Sequence, residues 1–488
     1  LLARILAFFK TAPDRHPPES DPAVIDRAFR RRRVSVFWSV TLGYAMFYVA
    51  RINFSVVKKP LLDEGILSAT EMGLIGSAML VVYAVGKLFN GFLSDRANIR
   101  RFMSTALLCA AAVNLVVGSV TWFWAFLVLW ALNGWFQSVG SAPSVVSLSQ
   151  WFSARELGTR YGIWSISHSI GEGATFAITA TVVSLLGWRW GFWGPGMLCA
   201  LAALVLFRTL ADRPQAYGLP SVADYRNDHP APKPDKAHES AQPLVRMQLE
   251  VLRNPAIWAL GLAGATMSAT RYGVNNWGIL YLQEVKGYSM AQAGSILAAY
   301  PVAAMAGAAL SGVVSDRFFD ARRNVPALAM GLMVTAALLY LWLVPTRAVW
   351  VDAAALAVFG FNMGGLLTYL GGLMAVDLSP KRVAGAAMGV IGVFAYLGAA
   401  IQDTVTGWLV DRGRVVSPVE RVLDLTVAED LVGPSFRQAL EGALPSGETV
   451  LRASVSHYDF DPVMGFWVGC SLLSILLTLA VWNARPQE

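Results

Sequence analysis

Apolar residues run through this chain in long unbroken stretches, and the stretches set its plan. Six lie near 34–57, 72–94, 103–120, 122–150, 160–186 and 189–210. Each approaches the roughly 20 residues that a helix needs to cross a bilayer. A polar stretch over 211–253 follows, with Pro214, Pro220, Pro230, Pro232 and Lys233 to Lys236, and reads as a linker. Six more apolar runs lie near 255–283, 291–314, 325–344, 348–377, 382–410 and 464–483. The runs are continuous rather than alternating, which excludes a membrane barrel. The expected fold is an all-α membrane protein of 12 transmembrane helices. Residues 1–33 form an N-terminal segment, 34–210 a first six-helix bundle, 211–253 a linker and 254–488 a second bundle. One connection is long: about fifty mostly polar residues, 413–463, with an amphipathic piece from Phe436 to Glu441. It is expected to be a surface excursion rather than a lid.

Composition agrees with the pattern. Of 488 residues 55% are hydrophobic and 15% charged, and the mean hydropathy is +0.50, outside the range of a soluble domain. The net charge of +7 sits in loops and is no nucleic-acid signal. Cys109, Cys199 and Cys470 fall in apolar runs and are expected to be free thiols. The apolar start Leu1–Phe9 is too short for a cleavable signal, so the first span serves for insertion. Arginine and lysine cluster in alternate loops: Arg30–Arg33, Arg96 to Arg101, Arg155 and Arg160, Arg208 to Arg253, Arg317 to Arg323, Lys381 and Arg382. The other loops hold few, among them Lys58 and Lys59 beside Asp63 and Glu64. By the positive-inside rule the basic loops and both termini are cytoplasmic, in an inner membrane.

Two arginines break the apolar pattern at matching places. Arg51 lies inside the first run and Arg271 inside the seventh. A charge at that depth costs roughly 2.5–3.5 kcal/mol on insertion scales and usually faces a functional cavity. The motif Gly91-Phe-Leu-Ser-Asp95-Arg96 follows the second run, and Gly312-Val-Val-Ser-Asp316-Arg317 the eighth. Arg51 precedes Asp95 by 44 residues and Arg271 precedes Asp316 by 45, so arginines and loops share one register. Duplicated halves follow, and with them one anion held between two guanidinium forks that match phosphate oxygens. The blander reading is that each arginine pairs with a structural carboxylate. No enzyme constellation, metal spacing, nucleotide loop or cofactor motif is present.

The GxxSDR loops, with GYAMFYVARINF, VVYAVGKLFNGFLSDRAN, NGWFQSVGSAP, SISHSIG, DRPQAYGLP, RYGVNNW and VFAYLGAA, resemble the major facilitator superfamily, and within it the organophosphate:phosphate antiporters and their related hexose-phosphate sensor. The resemblance covers nearly all of the chain except 413–463. It implies two six-helix bundles rocking about a central site where Arg51 and Arg271 grip a phosphoryl group. It also implies substrate contacts from Lys87 and His168, and pore-lining roles for Tyr44, Tyr48, Tyr83, Trp135, Tyr272 and Tyr396. Departures from the glycerol-3-phosphate pattern are Ile52, Ser268, Asn276, Pro301 and the added acid Glu172.

Several of these residues keep two readings. Lys87 is a third cation for the anion or a salt-bridge partner. His168 and Glu172 stand at i and i+4 on one helix face. The carboxylate favours a protonated imidazole; alternatively the histidine is neutral and bonded to Ser165. Glu172 and Asp403 are candidate coupling residues, and Gln402 and Asp403 bond either a sugar or a neighbouring helix. Asp95, Arg96, Asp316 and Arg317 are candidate gate residues that latch the halves. The implied function is exchange of a phosphate ester, such as a hexose phosphate or glycerol 3-phosphate, for inorganic phosphate by a monomer in the bilayer, with no cofactor. The alternatives are a receptor with a membrane histidine kinase as partner, and a proton-coupled symporter of another organic anion.

Overall fold

The computed structural model describes residues 7–15, 22–227, 253–319, 323–345, 347–378, 384–423 and 449–482. The first half holds α1 (Pro22–Val56), α2 (Ala69–Ser94), α3 (Ile99–Val117), α4, α5 and α6 (Trp190–Thr209). Rod α4 is broken into Phe123–Gln137 and Ser141–Trp151, and α5 runs Ala154–Ala174, one wide π turn Thr175–Thr179, then Ala180–Leu186. The second half holds α7 (Pro255–Glu284), α8 (Met290–Phe318), α9 (Asn324–Leu343), α10 (Val349–Thr368, extended to Asp377), α11 (Ala384–Arg412) and α12 (Asp461–Ala480).

Ten of these rods are long and apolar enough to cross a membrane. The other two of the twelve expected spans differ for visible reasons. In α4 the break leaves two pieces of 15 and 11 residues. In α7 the run is diluted by Ser268, Thr270, Arg271, Asn275 and Asn276, of which Thr270, Arg271 and Asn276 bond Trp467, Tyr300 and Asp403 within the second half.

Local chemistry sets the starts of the rods. Ser68 accepts from the Glu71 amide while Glu71 reaches back to Ser68, and Ser289 and Gln292 do the same at α8. The same capping box therefore opens the second rod of each half, a further trace of duplication. Asn98 caps α3, and Asn254 caps α7 with Pro255 in its first turn.

The halves meet along α2 with α11, α5 with α8 and α1 with α7. The α2–α11 approach is close because Gly73 and Gly76 carry no side chain. A Cβ on Gly76 would collide with the Asp403 carboxylate, and one on Gly73 with the Asp403 backbone carbonyl. Ile52 and Met79 share one buried cluster with Trp277 and Ile391, so this core spans both halves. A second cluster, including Phe29, Trp151, Leu206 and Leu219, stays within the first half.

Three expectations need correction, and a fourth, the surface excursion, gains a form. Helix α1 begins at Pro22, so Arg30–Arg33 lie within it rather than ahead of it; Arg33 is buried against Glu156 at 2.5 Å and the Phe152 ring. The first part of the supposed linker is packed structure. There Asp212 accepts from Asn98 Nδ2 at 3.0 Å and the Ile99 amide at 3.2 Å, and its carbonyl accepts from Trp151 Nε1 at 2.8 Å. Burial raises the Asp212 carboxyl pKa, and the backbone amides of Ala12, Ile99 and Arg213 oppose the rise. Tyr225 stacks on Phe29 at 4.0 Å and donates to Asp26. Residues 228–252 lie outside the described residues.

The long excursion is an antiparallel ribbon, β1 (Arg414–Leu423) against β2 (Thr449–Tyr458), in register Arg414 to Tyr458. Its base is anchored, since Tyr458 and Phe460 are buried in the core. Val-rich stretches on both sides of the polar middle carry the β propensity that a count of polar residues overlooks. The piece Phe436–Glu441 lies outside the described residues. Finally, Lys58 is no loop cation: it opens a short helix, Lys58–Asp63, and is fully buried.

Candidate substrate site

Arg51 sits on α1 and Arg271 on α7, both at the interface between halves. Arg51 is 7% exposed. Its Nη2 donates to the Tyr272 hydroxyl at 3.1 Å, and its guanidinium lies over the rings of Tyr83 at 4.5 Å and Tyr48 at 5.5 Å. Arg271 donates from Nε to the Tyr300 hydroxyl at 3.0 Å and lies 5.3 Å from the Tyr272 ring. Among the described residues neither arginine has a carboxylate within ion-pair distance. Tyrosine hydroxyls and ring faces orient the two forks without neutralising them, which leaves N–H groups for an anion.

The two arginines line different cavities. Arg271 is on the wall of a cavity of about 590 Å³ with His168, Ser169, Glu172, Tyr300 and Thr368. This cavity runs from Arg271 towards Thr159 and Ala309, the end of the molecule that holds the GxxSDR loops. Arg51 lines a gap of about 30 Å³ with Lys58, Tyr272, Asn276 and Asp403. Tyr272 links them, giving its hydroxyl to one guanidinium and its ring to the other.

The aromatic residues form one belt around the arginines. Tyr44 stacks on Trp164 at 4.7 Å and meets Tyr48 edge-on at 5.4 Å; Tyr48 lies 5.5 Å from the His168 ring. Tyr83 and Tyr396, from opposite halves, meet at 5.1 Å, and Lys87 Nζ lies 5.4 Å from the Tyr396 ring. Lys87 itself is exposed and lines neither cavity. Trp135 packs away from the arginines, against Phe89 and Gly86.

His168 and Glu172 share the large cavity but do not pair. The His168 Nδ1 bonds the Ser165 carbonyl one turn back, the acceptor that a helix presents to a ring at i+3. The expected partner residue is right, but its carbonyl rather than its hydroxyl is used. Glu172 is 2% exposed, and among the described residues nothing hydrogen-bonds its carboxylate.

Asp403 is engaged by protein. Its Oδ1 accepts from Trp277 Nε1 at 2.5 Å, Oδ2 from Asn276 Nδ2 at 3.2 Å, and Lys58 Nζ stands 3.7 Å away. Lys58 and Asp403 are each 1% exposed, and Lys58 Nζ also sits 3.2 Å from the Trp277 ring centre. Gln402 bonds Thr406 on its own helix at 2.9 Å. Asp403 thus makes the neighbouring-helix contact, while Gln402 bonds only within its own helix.

Beside this buried pair, Lys59 bonds Glu284 at 2.5 Å, and the Asp411 carboxylate takes the amides of Ala69 and Thr70 at 2.9 and 2.6 Å. All of these contacts join the two halves at the end opposite the GxxSDR loops. At the loop end Asp95, Arg96 and Arg317 are exposed, and none has an ion pair among the described residues. The Asp316 side chain lies outside the described set.

Two residues here escaped the sequence reading. Tyr300 precedes Pro301 and gave no signal of its own. Lys58 stands seven residues after Arg51, two helical turns along the same face. Asp403, a lone acid inside an apolar run, demanded such a cation.

A Major Facilitator Superfamily model matches residues 40–402. The chain is 34% identical over 414 residues to a glycerol-3-phosphate transporter of Bacillus subtilis, covering 84% of this chain and 92% of that one. It is 32% identical over 487 residues to a probable hexose phosphate transport protein of Chlamydia muridarum, covering 98% and 97%. The membrane sensor protein UhpC of Salmonella typhimurium is 33% identical over 423 residues, covering 86% and 92%. Among solved structures, a bacterial homolog of the human lysosomal transporter Spinster, in an inward-facing and unoccupied conformation, superposes with a TM-score of 0.66 at 17% identity, over 96% of this chain and all of that one.

Proposed function

Since this chain belongs to the Major Facilitator Superfamily, a family of membrane transporters rather than enzymes, we propose that it exchanges a phosphate ester for inorganic phosphate by alternating access. The observation that carries this reading is the pair of interfacial arginines, held by Tyr272 and Tyr300 and, among the described residues, paired with no carboxylate. Two permanent positive charges suit a phosphate monoester, whose second pKa near 6 makes it largely a dianion at pH 7. The names of the relatives support the same ligand class: glycerol 3-phosphate, hexose phosphate and, at 29% identity, phosphoglycerate.

The basic loops support a reading in which the GxxSDR end and both termini lie on the cytoplasmic side of a bacterial inner membrane. The large cavity then faces inward. Phosphate entering it meets Arg271 first. Rocking of the halves brings Arg51 to the same anion as the cavity closes, and the ionic contacts at the far end part. Asp95, Arg96, Asp316 and Arg317 would latch the opposite state through helix-end charge contacts. The gradients of the two anions supply the driving force, and each monomer works alone.

A receptor coupled to a histidine kinase is not favoured, because most of the named relatives are transport proteins. The test is phosphate counterflow. Proteoliposomes preloaded with inorganic phosphate should take up labelled phosphate without a pH gradient, and an external phosphate ester should compete. Uptake that needs a pH gradient and no trapped phosphate would replace this reading with a proton-coupled symporter.

A further inference from the structure

The 590 Å³ cavity is much larger than a phosphate ion needs; it falls in the range, roughly 300–1,000 Å³, of pockets that enclose whole small molecules. Its wall carries one fixed cation, Arg271, and one acid, Glu172, which are not paired with each other. The rest is mild. Ala304, Met305, Ala308 and Met363 supply an apolar surface. Thr368, whose hydroxyl donates to the Gly364 carbonyl at 3.2 Å, also lines it.

An ionised carboxylate is acceptor-only, so the ligand group it wants is a donor. A buried carboxylate left without one is costly. The hydroxyls of a substrate would meet that need, while its phosphate end goes to the guanidinium. A second carboxylate on the substrate would instead meet Glu172 as a like charge in a site of low polarity. We propose that Glu172 is a specificity-determining residue: it selects phosphate monoesters with a neutral, hydroxyl-bearing body and rejects those that carry a second acid group. This rests on the exchange reading above and narrows its substrate class.

The experiment uses the full chain in phosphate-loaded proteoliposomes. Labelled phosphate exchange is inhibited by glucose 6-phosphate, glycerol 3-phosphate or 3-phosphoglycerate. In the wild type 3-phosphoglycerate should be the weakest inhibitor. In Glu172→Gln, read as a ratio to that variant's own phosphate affinity, 3-phosphoglycerate should gain about tenfold and glucose 6-phosphate should lose affinity. Equal inhibition by all three esters in the wild type overturns the proposal, as does an unchanged ratio in Glu172→Gln. If that variant does not fold, the wild-type ranking and Glu172→Asp, which keeps the charge and should keep the ranking, decide the matter. Failure of the wild type to exchange phosphate is a separate failure, of the transport reading. Thermal shift with the same esters then still reads the ranking.

Discussion

The two ends of the interface between halves are built differently. At one end the short helix Lys58–Asp63, α2, α7 and α11 are joined by Lys58–Asp403, Lys59–Glu284 and the Asp411 carboxylate on the first amides of α2. At the other, Asp95, Arg96 and Arg317 stand exposed and unpaired among the described residues. Closure at the first end is therefore ionic as well as apolar. The Lys58–Asp403 pair is the unusual member. Its ammonium is buried and makes no hydrogen bond among the described residues, so it relies on charge and on the Trp277 ring face. Such a pair repays little of its desolvation, a property that suits a contact which must break in every cycle.

Breaking the closed end tests that picture most strongly. Asp403→Ala strands the Lys58 ammonium, and removing one partner of a buried pair costs about 3–5 kcal/mol. Thermal unfolding in detergent should show a clear loss of stability. A cysteine placed at Ser77, where α2 bonds the Ala400 carbonyl at 2.5 Å, should become reactive from the outside. The double change Lys58→Met with Asp403→Leu should recover much of the loss. A wild-type melting temperature for Asp403→Ala would mean that the pair closes nothing.

The next largest effect belongs to the middle of the interface. Arg51→Lys and Arg271→Lys keep the charge but lose the planar fork, and a charged hydrogen bond is worth about 1.5–3 kcal/mol. Phosphate binding by calorimetry should fall about 10- to 100-fold. Near-normal affinity in either variant would remove that arginine from the site.

Lys59→Ala should matter much less, by about 1 kcal/mol, because its side chain is 28% exposed and water screens it. A destabilisation as large as that of Asp403→Ala would place the main lock at Lys59. At the open end Asp95→Asn should leave the stability of this state unchanged while slowing exchange, since its partners form only when the halves rock. Equal exchange rates would take Asp95 out of the gate. The smallest effect is expected for the ribbon. Replacing residues 417–455 with a short polar linker should leave melting and phosphate binding as they are, whereas extending the deletion through Tyr458 and Phe460 removes two buried rings. Loss of phosphate binding in the shorter deletion would tie the ribbon to the site.

Most of the architecture was readable from the chain alone. Apolar run length sets the spans because backbone groups in hydrocarbon must be paired within a helix. The shared register of Arg51 with Asp95 and Arg271 with Asp316 exposed the duplication, and the cost of burying a guanidinium singled out both arginines before any geometry. Tertiary structure alone decided which partners each charge has. Helix periodicity says which face a residue occupies, not which helix that face meets or how near. Lys58 looked like a loop cation until the side-chain-free edge of α2 at Gly73 and Gly76 let Asp403 approach. Tyr300 became the holder of Arg271 only because α8 packs on α5 and α7. The packing of 212–226, the hairpin of 414–458 and the separation of Arg51 and Arg271 into two cavities share that cause. Each depends on contacts between segments far apart in the chain, and no local pattern encodes the distance between them.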